Sequence, residues 1–353
     1  MIKNLFVENF KCIKKMRLDC SNLNLFIGTN SSGKSTILQA LLLFAQNVHN
    51  PQGLNGDLIS LGQFEENRCF YLRDQSIYVK ISSENNYTMC QTISKSNETL
   101  SLKIGVSDVD KQMFMEKFDI SKKKIQYLSC HRIGPRNLYE KDMSLYDMIG
   151  IDGQFAISYL NAHASDPLDE NMCMYKGGYT FASQLNWWLN YIVGTEIRTT
   201  KIPATDYVQA TYIMNEIKDI RPKNIGAGVS YLISVLITCL ASPDGSIIVI
   251  ENPEIHLHPS AQSKVSEFLY FISQHNRQLF IETHSDHIFN GFRAGIANNE
   301  MVKDDINIYF VSQDDDYNTD AMLVDIGRMG RINNQRKDLF DQFDIDINRM
   351  IGV

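Results

Sequence analysis

Several things are missing from this sequence, and each absence narrows what the chain can be. No segment approaches the roughly 18 uncharged apolar residues of a membrane span. The opening MIKNLFVENFK alternates instead of running from basic to apolar, so no leader peptide is expected and the chain reads as cytoplasmic. The seven cysteines (12, 20, 69, 90, 130, 173, 239) are odd in number and never spaced CxxC. They read as reduced thiols without a zinc site. The net charge of −7 lacks the basic stripe of a dedicated nucleic-acid binder. Lys14–Lys15 and Lys122–Lys124 are short clusters that read as solvated faces, while a composite basic groove formed on dimerisation stays open. Repeats, low-complexity linkers and sustained heptads are also absent.

What is there is an ordinary globular composition, 353 residues with 44% hydrophobic and 21% charged. LFVENF and MRLDCSNLNLFIG alternate like strands, and STILQALLLFAQNV has helical length and a Ser/Thr start. CFYL, SIYVKIS, YTMCQTI and LSLKIGV predict an antiparallel sheet. Residues 107–220 read as mixed and mostly helical, including QLNWWLNYIV, where Trp187 and Trp188 are expected in the core, and TDYVQATYIMNEIKDI. From 224 onward strand and helix alternate (SYLISVLITCLA, SIIVIE, PSAQSKVSEFLYFISQH, QLFIETH), which predicts a parallel sheet covered by helices. The tail adds INIYFVS, AMLVDIG and a final helix in KDLFDQFDIDINRMI.

GTNSSGKS, Gly28 to Ser35, satisfies G-x-x-x-x-G-K-[ST] between the strand LNLFI and the helix STILQALLLF. Gly28 and Gly33 let the backbone wrap closely, and N–H groups of Asn30, Ser31, Ser32 and Thr36 are expected around a phosphate. Lys34 would reach the β- and γ-oxygens, and the Ser35 hydroxyl would ligate Mg²⁺. The expected ligand is therefore ATP with Mg²⁺. In IIVIENPEIHLHP a buried strand ends in Glu251, an acid placed for the ion. A competing reading of the same stretch is metal binding by His256 and His258 with Glu254. A second strand ends in Thr283 and His284, and His284 is expected at the γ-phosphate or the attacking water.

With those pieces in order, the chain resembles the ABC-type ATPases of the SMC/RecF/OLD group, and more closely the short prokaryotic AAA-family ATPases found beside anti-phage defence effectors. VENFKCIKK resembles their opening strand and turn, which would put Lys11 near the nucleotide. GTNSSGKST resembles Walker A, ENPEIHLHP Walker B with the following loop, and ETHSDHIF the switch-histidine segment. HRIGPR (131–136) and DIGRMGRINNQRKDLFDQF resemble further segments of the subgroup. NIGAGVSYLISVL is similar to a signature element, with Gly226, Gly228 and Ser230 facing the γ-phosphate of a second subunit. The resemblance implies an α/β fold: an ABC-type head with a mixed sheet, a parallel core carrying the P-loop, an antiparallel subdomain, a helical insert and a small C-terminal α+β element. The implied division is 1–105, 106–222, 223–300 and 301–353. It also implies an ATP-sandwich dimer or higher oligomer, and a glutamine contact for which Gln63 is the nearest candidate.

The family usually places a catalytic glutamate after the Walker B acid, and here that position is Asn252. Asn orients water but accepts no proton, and loss of a general base costs on the order of 10² to 10⁴ in rate. The expectation is a slow ATPase, with Glu254 as a substitute base. Three functions follow: a regulator or scaffold of a separately encoded effector (nuclease or toxin) answering DNA or a phage-derived trigger, a RecF-like repair ATPase, or an ATP-bound scaffold without turnover. Asp314–Asp316 follows a strand, but without a partner acid element it reads as a solvated turn, not a nuclease site.

Overall fold

The computed structural model describes residues 1–351 apart from 73, 85–86, 97–98, 107–110 and 145–146. The chain opens with a hairpin, β1 (Ile2–Phe10) and β2 (Ile13–Asp19), and then β3 (Leu23–Gly28) runs into α1 (Lys34–Gln46). After the short α2 (Phe64–Asn67) come β4 (Ser76–Ser83), β5 (Thr88–Ser96) and β6 (Thr99–Val106). The middle holds α3 (Lys111–Glu116), β7 (Ile125–Leu128), β8 (Tyr139–Glu140), α4 (Ala156–His163), α5 (Phe181–Val193), β9 (Thr195–Lys201), β10 (Tyr207–Met214) and β11 (Ile217–Ile220). The last third is α6 (Ala227–Ala241), β12 (Ile247–Glu251), α7 (Pro259–Ser273), β13 (Gln278–Glu282), α8 (Asp286–Ala297), β14 (Ile306–Gln313), β15 (Thr319–Leu323) and α9 (Gln342–Ile351).

A central sheet of order β15-β14-β3-β13-β12-β7 is parallel except for β15. β12 and β13 are buried at every residue, as strands covered on both faces must be. Their side chains alternate between two cores. Leu25, Ile27, Ile250 and Ile281 face the side packed with α4 to α8, while Phe26, Val249 and Phe280 face α1 and the antiparallel sheet β2-β1-β4-β5-β6. Almost all of α1 is therefore buried, and its N-terminus emerges at the C-terminal ends of β3 and β13.

Three expectations change. TDYVQATYIMNEIKDI is not helical: Val208, Ala210 and Tyr212 point inward at period two, and Asn215 turns the chain at φ 55° into β11. With β8 and β9 these strands form a third sheet, so the 106–222 segment is not mostly helical, and β7 within it is the edge of the central sheet. The boundary expected near 106 runs into 107–110, outside the described residues. CFYL is a turn whose Phe70, Tyr71 and Leu72 are exposed: the chain meets β1 through the Arg68–Phe10 bridge and the Cys69 N–H bond to Asn9, after which it turns. Finally, β14 and β15 extend the central sheet, and the last helix starts at Gln342. Trp188 is buried against Phe268 and Phe271, as expected of a core residue.

Candidate functional site

Gly28 to Ser35 lies between β3 and α1. Gly33 sits at φ 108°, and a Cβ there would lie 2.6 Å from Thr319 Oγ1 and 2.9 Å from Cys12 Sγ, so only glycine fits. Thr319 Oγ1 donates to Ser32 O at 3.0 Å, tying the loop to β15. Gly33 caps α1 without a side-chain acceptor, and no acid stands in the first turn. The first-turn N–H groups of α1 thus lack intrahelical acceptors and favour an anion. Ser32 Oγ is buried with no partner, Asn30 and Ser31 are exposed, and Thr36 Oγ1 accepts from Cys12 Sγ at 3.5 Å. Lys34 is buried and donates to the carbonyls of Gly28 (3.1 Å) and Thr29 (2.7 Å). Burial lowers its pKa, while Glu282 and Glu254 oppose that shift.

Two acids, Glu282 and Glu254, face this lysine, and a third, Glu251, stands beside Glu282. Glu251 and Glu282 are paired in register on β12 and β13. Glu251 Oε1 accepts from Tyr127 Oη and Oε2 from Cys130 N, each at 3.0 Å. Ser35 Oγ donates not to Glu251 but to Glu282 Oε1, at 2.9 Å. Burial pushes Glu282 up to about 7; the Ser35 hydroxyl resists this and Glu251 adds to it. Glu254 Oε1 accepts from His284 N at 2.9 Å, its Oε2 is unpartnered, and burial raises its pKa. Asn252 adopts φ 45°, donates its N–H to Glu282 O at 2.7 Å, and leaves Oδ1 unpartnered. His284 Nε2 lies 3.9 Å from Glu282 Oε1, and burial followed by Lys34 lowers its pKa, favouring a neutral ring.

HRIGPR acquires a role here. Arg132 is buried and its guanidinium donates to the carbonyls of Ser129 (3.0 Å), Glu251 (2.6 Å) and Asn252. It clamps the end of β12 to the turn after β7. Burial lowers its pKa to about 10, with Glu254 opposing.

Other expected residues fall elsewhere. Lys11 Nζ is engaged by Gln39 Oε1 at 2.6 Å on α1. Gln63 is exposed at the start of α2, where its N–H donates to Glu66. Gly226 caps α6 and is exposed, and Gly228 packs so closely that a Cβ would lie 2.4 Å from the His256 carbonyl. Ser230 departs from expectation: it is buried, with its hydroxyl 3.5 Å from Tyr212 Oη, so it does not face outward. The His256/His258 metal reading fails because His258 Nδ1 accepts from Ser260 N as the cap of α7. Asp314 Oδ1 accepts from the N–H groups of Asp316 and Asn318, which makes that cluster a turn. The sequence reading missed Glu282 and Arg132. It also missed Arg336 and Lys337, which line a depression of about 400 Å³ with Thr29, Asn30 and Ser32.

The family model described as an AAA ATPase domain matches residues 1–147 and 177–289, well over half of the chain. The chain belongs to the AAA ATPase domain family. A further model, described as a protein of unknown function (DUF3696), matches residues 302–350 of this AAA ATPase domain chain. It is 29% identical over 107 residues to a DNA replication and repair protein RecF of a Thermoanaerobacter species, covering 30% of this chain and 26% of that protein. It is 36% identical over 74 residues to the RecF protein of Caldanaerobacter subterraneus subsp. tengcongensis, 20% of this chain and 19% of that one. The matched segments thus span about a quarter or less of these relatives. Among solved structures, the SMC head domain from Thermotoga maritima overlays with TM-score 0.50 at 13% identity, covering 92% of this chain and 99% of that one. An Smc head domain bound to the C-terminal domain of ScpA, derived from Pyrococcus furiosus, gives TM-score 0.55 at 14% identity, covering 100% and 99%. The AAA ATPase domain here has the ABC-type head fold of the SMC/RecF group. Among the described residues no helix is long and apolar enough to cross a membrane.

Proposed function

We propose that this chain binds ATP at the Gly28–Thr36 loop and hydrolyses it slowly. The observation that carries this is the convergence of buried Lys34 with Glu254 and Glu282 at the uncapped start of α1. In this reading Lys34 moves from the Gly28 and Thr29 carbonyls to the phosphates, and the first-turn N–H groups hold them. Neutral His284 hydrogen-bonds at the γ-phosphate. Asn252 positions the attacking water but takes no proton from it. That proton goes to Glu254, whose unpartnered Oε2 makes it the acceptor that remains.

The oxygen-only donors suit Mg²⁺, and the buried, unpartnered Glu282 Oε2 calls for a cation or a donor. Among the described residues no three His, Cys, Asp or Glu side chains form a metal group on their own, so phosphate oxygens would complete the sphere. When bound, Mg²⁺ supplies charge neutralisation of the β- and γ-oxygens; Ser35 with Glu251 or Glu282 would hold it.

The exposed Gly226 end of α6 supports an ATP sandwich between two copies, with backbone N–H groups in place of the Ser230 hydroxyl. The slow cycle suits a long-lived ATP-bound assembly that restrains a separately encoded nuclease or toxin until phage is sensed. The defence setting is supported by the sequence resemblance carried by HRIGPR and DIGRMGRINNQRKDLFDQF. The RecF matches favour a second reading, ATP-dependent binding of DNA.

Phosphate release by the purified chain and by Lys34→Ala tests the enzymatic core: slow release that the substitution abolishes is expected, and release unaffected by it would sink the proposal. DNA affinity that rises with ATP and falls steeply with salt would favour the RecF-like reading. Co-purification of a neighbouring gene product that ATP retains would favour the effector reading.

A further inference from the structure

Two glutamates compete for the cation of the proposed nucleotide site, and their surroundings separate them. Glu251 already accepts at both oxygens, Oε1 from Tyr127 Oη and Oε2 from Cys130 N. Both donors come from β7 and the turn after it, on the side of β12 away from β13. Arg132, from the same turn, fixes the Glu251 backbone as well. Everything that holds Glu251 therefore draws it away from the phosphate loop.

Glu282 is held the opposite way. β13 lies between β12 and β3, the strand that delivers the loop. Glu282 Oε1 accepts the Ser35 hydroxyl at 2.9 Å, and Oε2 has no partner although the residue is only 4% exposed. A buried carboxylate oxygen without a donor is costly, and a hard cation is the species that relieves it. Ser35 is the hydroxyl that follows the loop lysine, so the oxygen pair Ser35–Glu282 stands at the mouth of the phosphate cradle. Asn252 Oδ1, also unpartnered, belongs to the segment whose N–H bonds the Glu282 carbonyl.

We propose that Glu282, with Ser35, is the carboxylate that faces the divalent cation of the bound nucleoside triphosphate, and that Glu251 is a structural acid held by the β7 turn. This rests on the nucleotide reading above. The acid at the tip of the strand beside the loop replaces the acid one strand further out. Cation selection and Ser35 orientation then depend on the same side chain.

The test uses the full chain, ATP as ligand, and Mg²⁺ or Mn²⁺ as the cation. ATP affinity is measured with Mg²⁺ and with EDTA, and bound Mn²⁺ is followed by electron paramagnetic resonance in the presence of ATP. Glu282→Gln is expected to lose about tenfold or more of the cation-dependent gain in affinity, with EDTA-state ATP binding retained. Glu251→Gln is expected to keep that gain within about twofold, and only Glu282→Gln should alter the Mn²⁺ spectrum. Glu282→Asp, which keeps a carboxylate, should restore part of the cation dependence and so separates ligand loss from misfolding. Loss of cation dependence in Glu251→Gln with Glu282→Gln unaffected overturns the proposal, as does equal loss in both. A wild-type chain that binds no ATP in either condition defeats the nucleotide reading itself, and this inference with it.

Discussion

α1 and α6 both begin at an uncapped glycine with no acid in the first turn, yet their first turns are built for different work. At α1 the glycine is left-handed, a lysine is folded into the loop, and the serine after it points at a buried acid. At α6 the glycine of the first turn is pressed on the His256 carbonyl, and the serine turns inward to Tyr212. The same amino acids thus give one end that gathers charge around an open cradle and one end that is a packing surface with only its exposed cap turned outward. A glycine-serine helix start is not a phosphate site by composition; what decides is where the hydroxyl and the nearest cation point.

Substitutions at the two ends should separate them. The largest effect is expected from Lys34→Ala, which should lower phosphate release by about 10² or more while the fold survives, read by a steady-state assay beside a thermal melt. Gly33→Ala comes next. Its strained φ and the 2.6 Å approach to Thr319 Oγ1 should cost roughly 2–3 kcal/mol of stability and weaken ATP binding together. Gly228→Ala should cost about 1–3 kcal/mol through the His256 carbonyl, yet leave ATP affinity of the single chain unchanged. Chemical denaturation and equilibrium ATP binding read both glycine variants. Ser230→Ala should be smaller still, within about 1 kcal/mol in stability and about twofold in phosphate release, because its hydroxyl faces Tyr212. A large loss of release in that variant would erase the contrast between the two ends.

A control lies away from both helix starts. His163 on α4 is bonded to Asp166 at 2.6 Å and to Asp147. Burial works against its charge, but the bonds to the two aspartates prevail and its pKa is raised. A raised folded-state pKa stabilises below the ordinary histidine value near 6.5 and loses that contribution as pH rises through the folded value. The melting difference between wild type and His163→Gln should therefore be present at pH 6 and shrink toward pH 9, and neither loop should respond.

Much of the nucleotide end was legible in the sequence because its signals are local. GTNSSGKS, a strand before it and a helix after it, lie within one short stretch, and IIVI ending in Glu251 reads as a buried strand in any context. Glu282 was not legible. Only the parallel register of β12 against β13 brings it beside Glu251, and only the path of β3 brings it to Ser35. Arg132 is hidden for the same reason, since its three acceptors include carbonyls 119 and 120 residues away in sequence. TDYVQATYIMNEIKDI misled because its apolar residues fit either period, and pairing of β10 with β8, β9 and β11 chose the strand. CFYL had strand-forming residues, but its contact with β1 stops at Arg68 and Cys69 and the chain turns at Phe70.

The central claim, that the α1 end and not the α6 end of each chain cradles the triphosphate, is tested most directly by amide hydrogen exchange with and without ATP and Mg²⁺. Strong protection of peptides covering 28–36 is predicted in the dilute single chain, with peptides covering 226–232 responding only when two copies associate, and with no protection in Lys34→Ala. Protection of 226–232 in the dilute chain while 28–36 exchanges unchanged would contradict the account.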